Sequence, residues 1–348
     1  MKRAFFLLIG ILVSVACFAM SLKGVNLDEL ADAFSEANYL TLPLMLGLLF
    51  GFYWLKTMRW SWMLRPVEKL TTRQLFGPML IGFAANNLLP AHLGEFIRVY
   101  VVRRQYGVPL GTVLSTVVLE RIFDVMAILA LFGIGLAYSG ELPADYRNGA
   151  LMLGGGALAV VAAVIVYLIW TEWFVSVTAT VMGKLPLPPS LTKKIVEMLR
   201  TGADGLGSLR SVRSVTAIIV SSMVQWLLNG MIAFVALRAF GIPVSLATGL
   251  IVTGVTAVAV TIPSSPGYFG VIQVAFRLSM EAQANPPDPA LVLGSSFYYH
   301  LSMYIPVTLL GLYYLQHSGL QLRDFQTGKL QLPEETLEKS DVRQSETP

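Results

Sequence analysis

Apolar segments long enough to cross a lipid bilayer recur along this chain, and two of them are broken at matching places. A crossing helix needs ~20 consecutive apolar residues. Runs near that length lie at about 4–22, 39–55, 74–89, 111–138, 149–170, 214–237, 245–262 and 290–315. The breaks read Leu89-Pro90-Ala91-His92-Leu93-Gly94-Glu95-Phe96 and Ile262-Pro263-Ser264-Ser265-Pro266-Gly267-Tyr268-Phe269, each a Pro followed four residues later by a Gly. A helix in lipid is interrupted only where the freed backbone groups find partners in protein or water. Matched interruptions in two halves point to a transporter with its substrate site between related repeats.

Composition names the solvent. Hydrophobic residues make up 55% of the 348 and charged residues 13%, with a mean hydropathy of +0.65. The charged share is about half that of a soluble globular protein. The net charge of +4 and pI near 9.1 do not indicate nucleic acid, because the basic residues fall in loops on one side of the membrane. A single cysteine, Cys17, allows no intrachain disulfide and no cysteine-based metal site. Lys2-Arg3 before an apolar run resembles a secretory signal, and Ser14-Val15-Ala16-Cys17 faintly resembles a lipoprotein cleavage box. An uncleaved first transmembrane helix fits better, since many spans follow.

Basic residues set the orientation. Lys2, Arg3, Lys56, Arg59, Arg65, Lys69, Arg73, Arg98, Arg103, Arg104, Lys184, Lys193, Lys194, Arg200, Arg210, Arg213 and the tail are assigned to the cytoplasm, while Asp28, Glu29, Asp32, Glu36, Glu141 and Asp145 mark the opposite side. With Arg73 and Arg103 on one side, residues 74–102 must enter and return as a re-entrant hairpin open to the cytoplasm. Residues 245–281 form a second hairpin, open to the outside. Pro90 pairs with Pro263, Gly94 with Gly267, Phe96 with Phe269 and Arg104 with Arg277 at one constant offset.

The expected fold is therefore an all-α polytopic membrane protein with about six full transmembrane helices plus two re-entrant broken hairpins in an inverted repeat. It forms one integral domain over residues 1–316. Half 1 covers about 39–138 and half 2 about 214–316, joined by a cytoplasmic linker over 171–213. In that linker residues 191–209 read equally as a surface helix or a plain connection. Residues 317–348 form a polar cytoplasmic tail of disordered composition. Both termini are expected in the cytoplasm of a cell (inner) membrane protein.

Charges at membrane depth face the protein interior and mark function or internal pairing. Glu120-Arg121-Ile122-Phe123-Asp124 lies ~15 Å along the helix that begins near Gly111. Glu120 and Asp124 share a face, with Arg121 beside them. The group reads equally as an ion-pair lock between helices and as an anion or proton site. Removing Arg121 is expected to leave both carboxylates unpaired. After the first break come Asn86, Asn87, His92, Glu95 and Arg98. Glu95 and Arg98 are spaced to pair, the two Asn can bond freed backbone groups, and the helix start near Gly94 suits a phosphate. After the second break, Ser264, Ser265 and the N–H groups beyond Gly267 offer neutral donors, although Pro266-Gly267 also suits an ordinary tight turn. Gln225 with Asn229, and His300 among Tyr298, Tyr299 and Tyr304, read as packing. Trp54, Trp60 and Trp62 read as an interfacial belt. No catalytic motif, metal spacing or cofactor loop is expected.

On Asn87-Leu88-Leu89-Pro90, Gly94-Glu95, Arg98, Leu119-Glu120-Arg121 with Asp124, Pro263-Ser264-Ser265-Pro266-Gly267 and Arg59-Trp60, the chain resembles the lysylphosphatidylglycerol synthase transmembrane-region family, the flippase-like domain, over about residues 4–316. It reads as a stand-alone member without the soluble synthase domain. The resemblance implies translocation of an anionic phospholipid or lipid-linked sugar precursor between leaflets. The substrate-binding set is then Asn87, Glu95, Arg98, Glu120, Arg121, Asp124, Ser264, Ser265 and Gly267, with Pro90, Gly94, Pro263 and Pro266 at the gating breaks. Arg98 and Arg121 would hold phosphate. His92 stands where the family often has Arg, and Gln273 where Glu is common, so a symmetric carboxylate coupling is in doubt. The rival readings are an intramembrane transferase on a polyprenyl-linked substrate and a non-transporting scaffold for a lipid-modifying enzyme. The hairpin argument predicts that Arg73→Cys and Arg103→Cys, each on a Cys17→Ser background, react with an impermeant thiol reagent from the same side of sealed vesicles. Labelling from opposite sides would refute the hairpin.

Overall fold

The computed structural model describes residues 2–89, 93–139, 155, 156, 159, 163, 170–183 and 212–319. Pro90, His92, most of the expected crossing at 149–170, the linker stretch 191–209 and the tail lie outside the described residues. Among the described residues every regular element is helical. The helices are α1 (Lys2–Leu22), α2 (Leu27–Glu36), α3 (Leu42–Leu64), α4 (Thr72–Leu88), α5 (Gly94–Tyr106), α6 (Leu110–Tyr138), α7 (Thr171–Gly183), α8 (Val212–Ala239), α9 (Leu246–Ala259), α10 (Val271–Glu281) and α11 (Pro289–His317).

Local chemistry sets their ends. Thr71 opens α4 with a reciprocal cap: its backbone N–H donates to Gln74 Oε1 at 2.9 Å, and its hydroxyl accepts from the Gln74 N–H at 3.4 Å. Gly107 ends α5 in the left-handed region at φ 70°, where a Cβ would be strained. Asp288 opens α11 by accepting from the Ala290 N–H at 2.6 Å.

α3 through α6 and α8 through α11 pair in the same pattern. In each set the first helix packs on the second, the second on the third, and the third on the fourth. Across the sets, α3 packs on α8, and α4 packs on α11 as α9 packs on α6. The crossing is antiparallel: Gly51 lies beside Leu228 while Arg59, further along α3, bonds Ser222, earlier on α8. Such a reciprocal pattern is what a pseudo-two-fold between inverted repeats produces.

Among the described residues, two helices are long and apolar enough to cross a membrane, over Tyr39–Leu64 and Arg213–Ala239; Gly10–Leu22 with Leu27–Glu36, bent by 84°, makes a third if it is one broken span. α6 and α11, with 29 residues each, rise roughly 44 Å. α3 runs on past the expected end at residue 55 to Leu64, so Lys56 and Arg59 belong to the helix.

α4 and α5 form the first hairpin. Its partners run in reverse order: Tyr106 Oη donates to the Gln74 carbonyl at 3.0 Å, Arg98 lies against Gly82, and the Gly94 N–H donates to Asn86 Oδ1 at 2.7 Å. Small residues let the two backbones approach, the usual device of helix pairs in lipid. A Cβ on Gly94 would overlap the Gly82 carbonyl oxygen and the Asn86 amide. We therefore expect Gly94→Ala to lower stability by at least ~1–3 kcal/mol, the scale of core overpacking, seen as a drop in thermal midpoint in detergent. An unchanged midpoint would mean that the hairpin is looser than described.

Candidate functional site

The site is a buried ion network built from one face each of α3, α5 and α6. On α3, Lys56 and Arg59 lie one turn apart, between Phe52 and Met63 on the same buried stripe. On α6, Glu120 and Asp124 are one turn apart. Relative exposures are 1% for Lys56, 0% for Arg59, 1% for Arg98, 0% for Glu120 and 2% for Asp124.

Lys56 Nζ bridges Glu120 Oε1 at 2.8 Å and Asp124 Oδ2 at 2.7 Å. Arg59 Nη2 contacts Asp124 Oδ1 at 2.6 Å, and Arg59 Nη1 donates to Ser222 on α8. The same Asp124 oxygen accepts from Trp226 Nε1 at 3.0 Å and from Gln225 Nε2 at 3.4 Å. Arg98 reaches Glu120 Oε2 at 3.0 Å and Glu95 Oε2 at 2.6 Å, with its guanidinium 5.0 Å from the Trp60 ring centroid. Trp60 is fully buried and donates to Thr116 Oγ1 at 3.0 Å.

Arg121 differs from the other cations. Its side chain is 44% exposed, it pairs with Glu95, and it lies 3.9 Å from both Glu120 and Asp124. Four cations (Lys56, Arg59, Arg98, Arg121) thus face three carboxylates (Glu95, Glu120, Asp124). A cation surplus at depth favours an incoming anion.

The structure gathers Glu95, Arg98, Glu120, Arg121 and Asp124 into this one cluster. It corrects the expectation that losing Arg121 strands both carboxylates. Glu120 and Asp124 are held by Lys56, Arg59 and Arg98, so they stay paired without Arg121, whereas Arg98 is enclosed. Lys56 and Arg59 were assigned to exposed cytoplasmic loops; both are buried in α3, because each has a carboxylate within ion-pair distance on α6. Trp60 likewise leaves the interfacial belt for the core. The available signal was spacing: Lys56, Arg59 and Trp60 continue the helical stripe of Phe52.

The neutral residues fall elsewhere. Asn86 closes the start of α5 by accepting from the Gly94 N–H, so that N–H is already engaged. Asn87 Nδ2 donates to Thr308 Oγ1 on α11 at 2.9 Å. At the second break, Ser14 of α1 donates through its hydroxyl to Ser265 Oγ at 2.7 Å and accepts from the Ser265 N–H at 2.9 Å. Ser264 packs its carbonyl against Gly10. Pro263 precedes a short 3-10 turn over Pro266–Tyr268, with Gly267 at φ 79° inside it and Gly270 at φ 83° just after it. Gln273 Oε1 accepts from the Gly270 N–H at 2.8 Å, and its amide lies 3.3 Å from His300 Nδ1. Asn86 also touches the ion network, its Nδ2 donating to Glu95 Oε1 at 3.5 Å, whereas the bonds of Ser265 and Gln273 tie the second break to α1 and α11. Among the described residues no group of three or more His, Cys, Asp or Glu side chains is placed to hold a metal ion.

An all-helical chain with membrane-length apolar helices and charge buried at their contacts defines an integral membrane protein. Residues 7–311 match the family described as the lysylphosphatidylglycerol synthase TM region, and the chain belongs to that family. It is 24% identical over 324 residues to the UPF0104 membrane protein MJ1595 of Methanocaldococcus jannaschii, covering 89% of this chain and 93% of that one. It is 24% identical over 285 residues to a UPF0104 membrane protein of Methanothermobacter thermautotrophicus, covering 79% and 82%. It is 23% identical over 325 residues to the protein named glycosyltransferase AglD of Haloferax volcanii, covering 84% of this chain and spanning 51% of that relative. No solved structure matches.

Losing one member of a buried ion pair costs ~3–5 kcal/mol, whereas a partly exposed pair contributes ~0–1 kcal/mol. Asp124→Asn is therefore expected to lower the thermal midpoint in detergent sharply, and Arg121→Gln to move it little. Equal shifts would contradict this division of the network.

Proposed function

We propose that the protein carries an anionic phospholipid or lipid-linked precursor between the leaflets of the cell membrane. The observation that carries this reading is the buried cation surplus with one accessible arginine. Lys56, Arg59 and Arg98 are held against Glu120 and Asp124 in the protein interior, while Arg121 keeps nearly half its side chain open beside Glu95. A guanidinium is suited to bidentate binding of phosphate. In this reading Arg121 receives the headgroup phosphate, the locked cations keep the surrounding potential positive, and Glu95 holds Arg121 when the site is empty. The reciprocal packing of the two helix sets supports an alternating path, since inverted repeats exchange roles when a carrier opens to one side and then the other. Ser264, Ser265 and Gly267 shape the second break rather than touch the anion.

The test is leaflet exchange of a headgroup-labelled anionic phospholipid in vesicles reconstituted with purified protein. Arg121→Gln is expected to reduce exchange at least tenfold while keeping the wild-type melting midpoint. Unchanged exchange would remove Arg121 from the path, and no exchange by the wild type would refute the carrier reading.

A second reading draws on the name of one relative, a glycosyltransferase. Under it the same cluster binds the phosphate of a polyprenyl-linked sugar and the chain works beside, or as part of, a transferase. Formation of a labelled glycolipid by the purified protein would favour it.

A further inference from the structure

The second half brings one group to the ion network that the carrier reading leaves unused. Tyr268 is the only non-glycine with positive φ among the described residues, at 60°. A bulky side chain there is strained, and such strain is retained where the surrounding structure imposes it, often at functional positions. Gly267 and Gly270 bracket it in the same left-handed region.

The placement has three supports. The turn carrying Tyr268 packs against α4, the first arm of the opposite hairpin. The ring packs, half-buried, on the cluster that holds Tyr53, Leu80 and Tyr299. From there Tyr268 interacts electrostatically with both Glu95 and Arg121. The repeat adds a fourth. With Pro90 matched to Pro263 and Gly94 to Gly267, Tyr268 stands at the position of Glu95. The equivalent residues of the two breaks therefore both lie within electrostatic range of Arg121, one an acceptor and the other able to donate.

Resting on the carrier reading, we propose that Tyr268 completes the anion site from the second half. Its phenolic hydroxyl would donate to an oxygen of the phosphate ester that Arg121 binds once that ester displaces Glu95. An O–H donating to an anionic oxygen is among the stronger hydrogen bonds, and a phenol can serve Glu95 in the empty state and phosphate in the loaded one without changing charge. The ligand class is a phosphate ester, either a lipid headgroup or a free one. Because the donors come from opposite halves, binding would bridge the two breaks.

The experiment is native mass spectrometry of the full chain in detergent. Phosphatidylglycerol is one probe and glycerol phosphate the other, and the melting midpoint of every variant is recorded. Tyr268→Phe, which keeps the ring, is expected to weaken retention about tenfold for whichever probe the wild type holds, with its midpoint unchanged. Retention of lipid but not glycerol phosphate assigns the site to headgroups, and retention of both to phosphate esters in general. Glu95→Gln is expected to strengthen retention several-fold by freeing Arg121, which supplies a second reading if Tyr268→Phe does not fold. Wild-type retention in Tyr268→Phe, or weaker binding in Glu95→Gln, would overturn the proposal and leave the carrier reading intact. Retention of neither probe by the wild type would overturn both.

Discussion

Charge compensation inside the helix bundle is the constraint from which the rest of this structure follows. Asp124 alone accepts from or pairs with Lys56, Arg59, Gln225 and Trp226, and so joins α3, α6 and α8. Glu120 does the same for α3 and α5 through Lys56 and Arg98. An isolated charge in hydrocarbon is expensive, so these helices cannot separate or slide by a turn without leaving an ion bare. That requirement fixes the register of the first hairpin against α6. It also places Arg121 at the open edge of the cluster, one residue round the helix from Glu120.

The two halves share a plan and differ in chemistry. Where the first half buries ions, the second buries neutral pairs. Asn229 accepts from Tyr299 at 3.0 Å, and Gln273 lies beside His300. Neutral hydrogen bonds between helices contribute about a kcal/mol or less in lipid, far below the cost of stranding an ion. Pulling apart the ion-paired helices of the first half would therefore cost more than breaking these neutral pairs of the second.

Much of this was legible in the residues, for physical reasons. Backbone breaks in apolar runs are costly, and the helices end beside the expected breaks: α4 at Leu88 with α5 starting at Gly94, and α9 at Ala259. The i,i+4 spacing put Glu120 and Asp124 on one face without any coordinates. Lys56 and Arg59 were misread because a cation near the end of an apolar run looks the same whether it leaves the membrane or turns inward. The choice depends on a carboxylate more than sixty positions away in the chain. That Arg98 is enclosed while Arg121 stays nearly half open is equally hidden from the sequence, since exposure is decided by which neighbours cover a side chain and not by its type. Tyr268 had no signal of its own beyond its place in the repeat.

The pairing of Ser14 with Ser265, and the three carbonyls near the end of α1 that Arg277 holds at Met20, Ser21 and Lys23, bear on biogenesis. The opening helix of the chain docks onto a segment made some 250 residues later. At ribosomal speeds of about 5–20 residues per second it waits roughly 10–50 s for its partner. During that interval its serine face and uncapped carbonyls must be sheltered by lipid headgroups or by the insertion machinery. α1 can therefore reach these partners only once the second break has been synthesised.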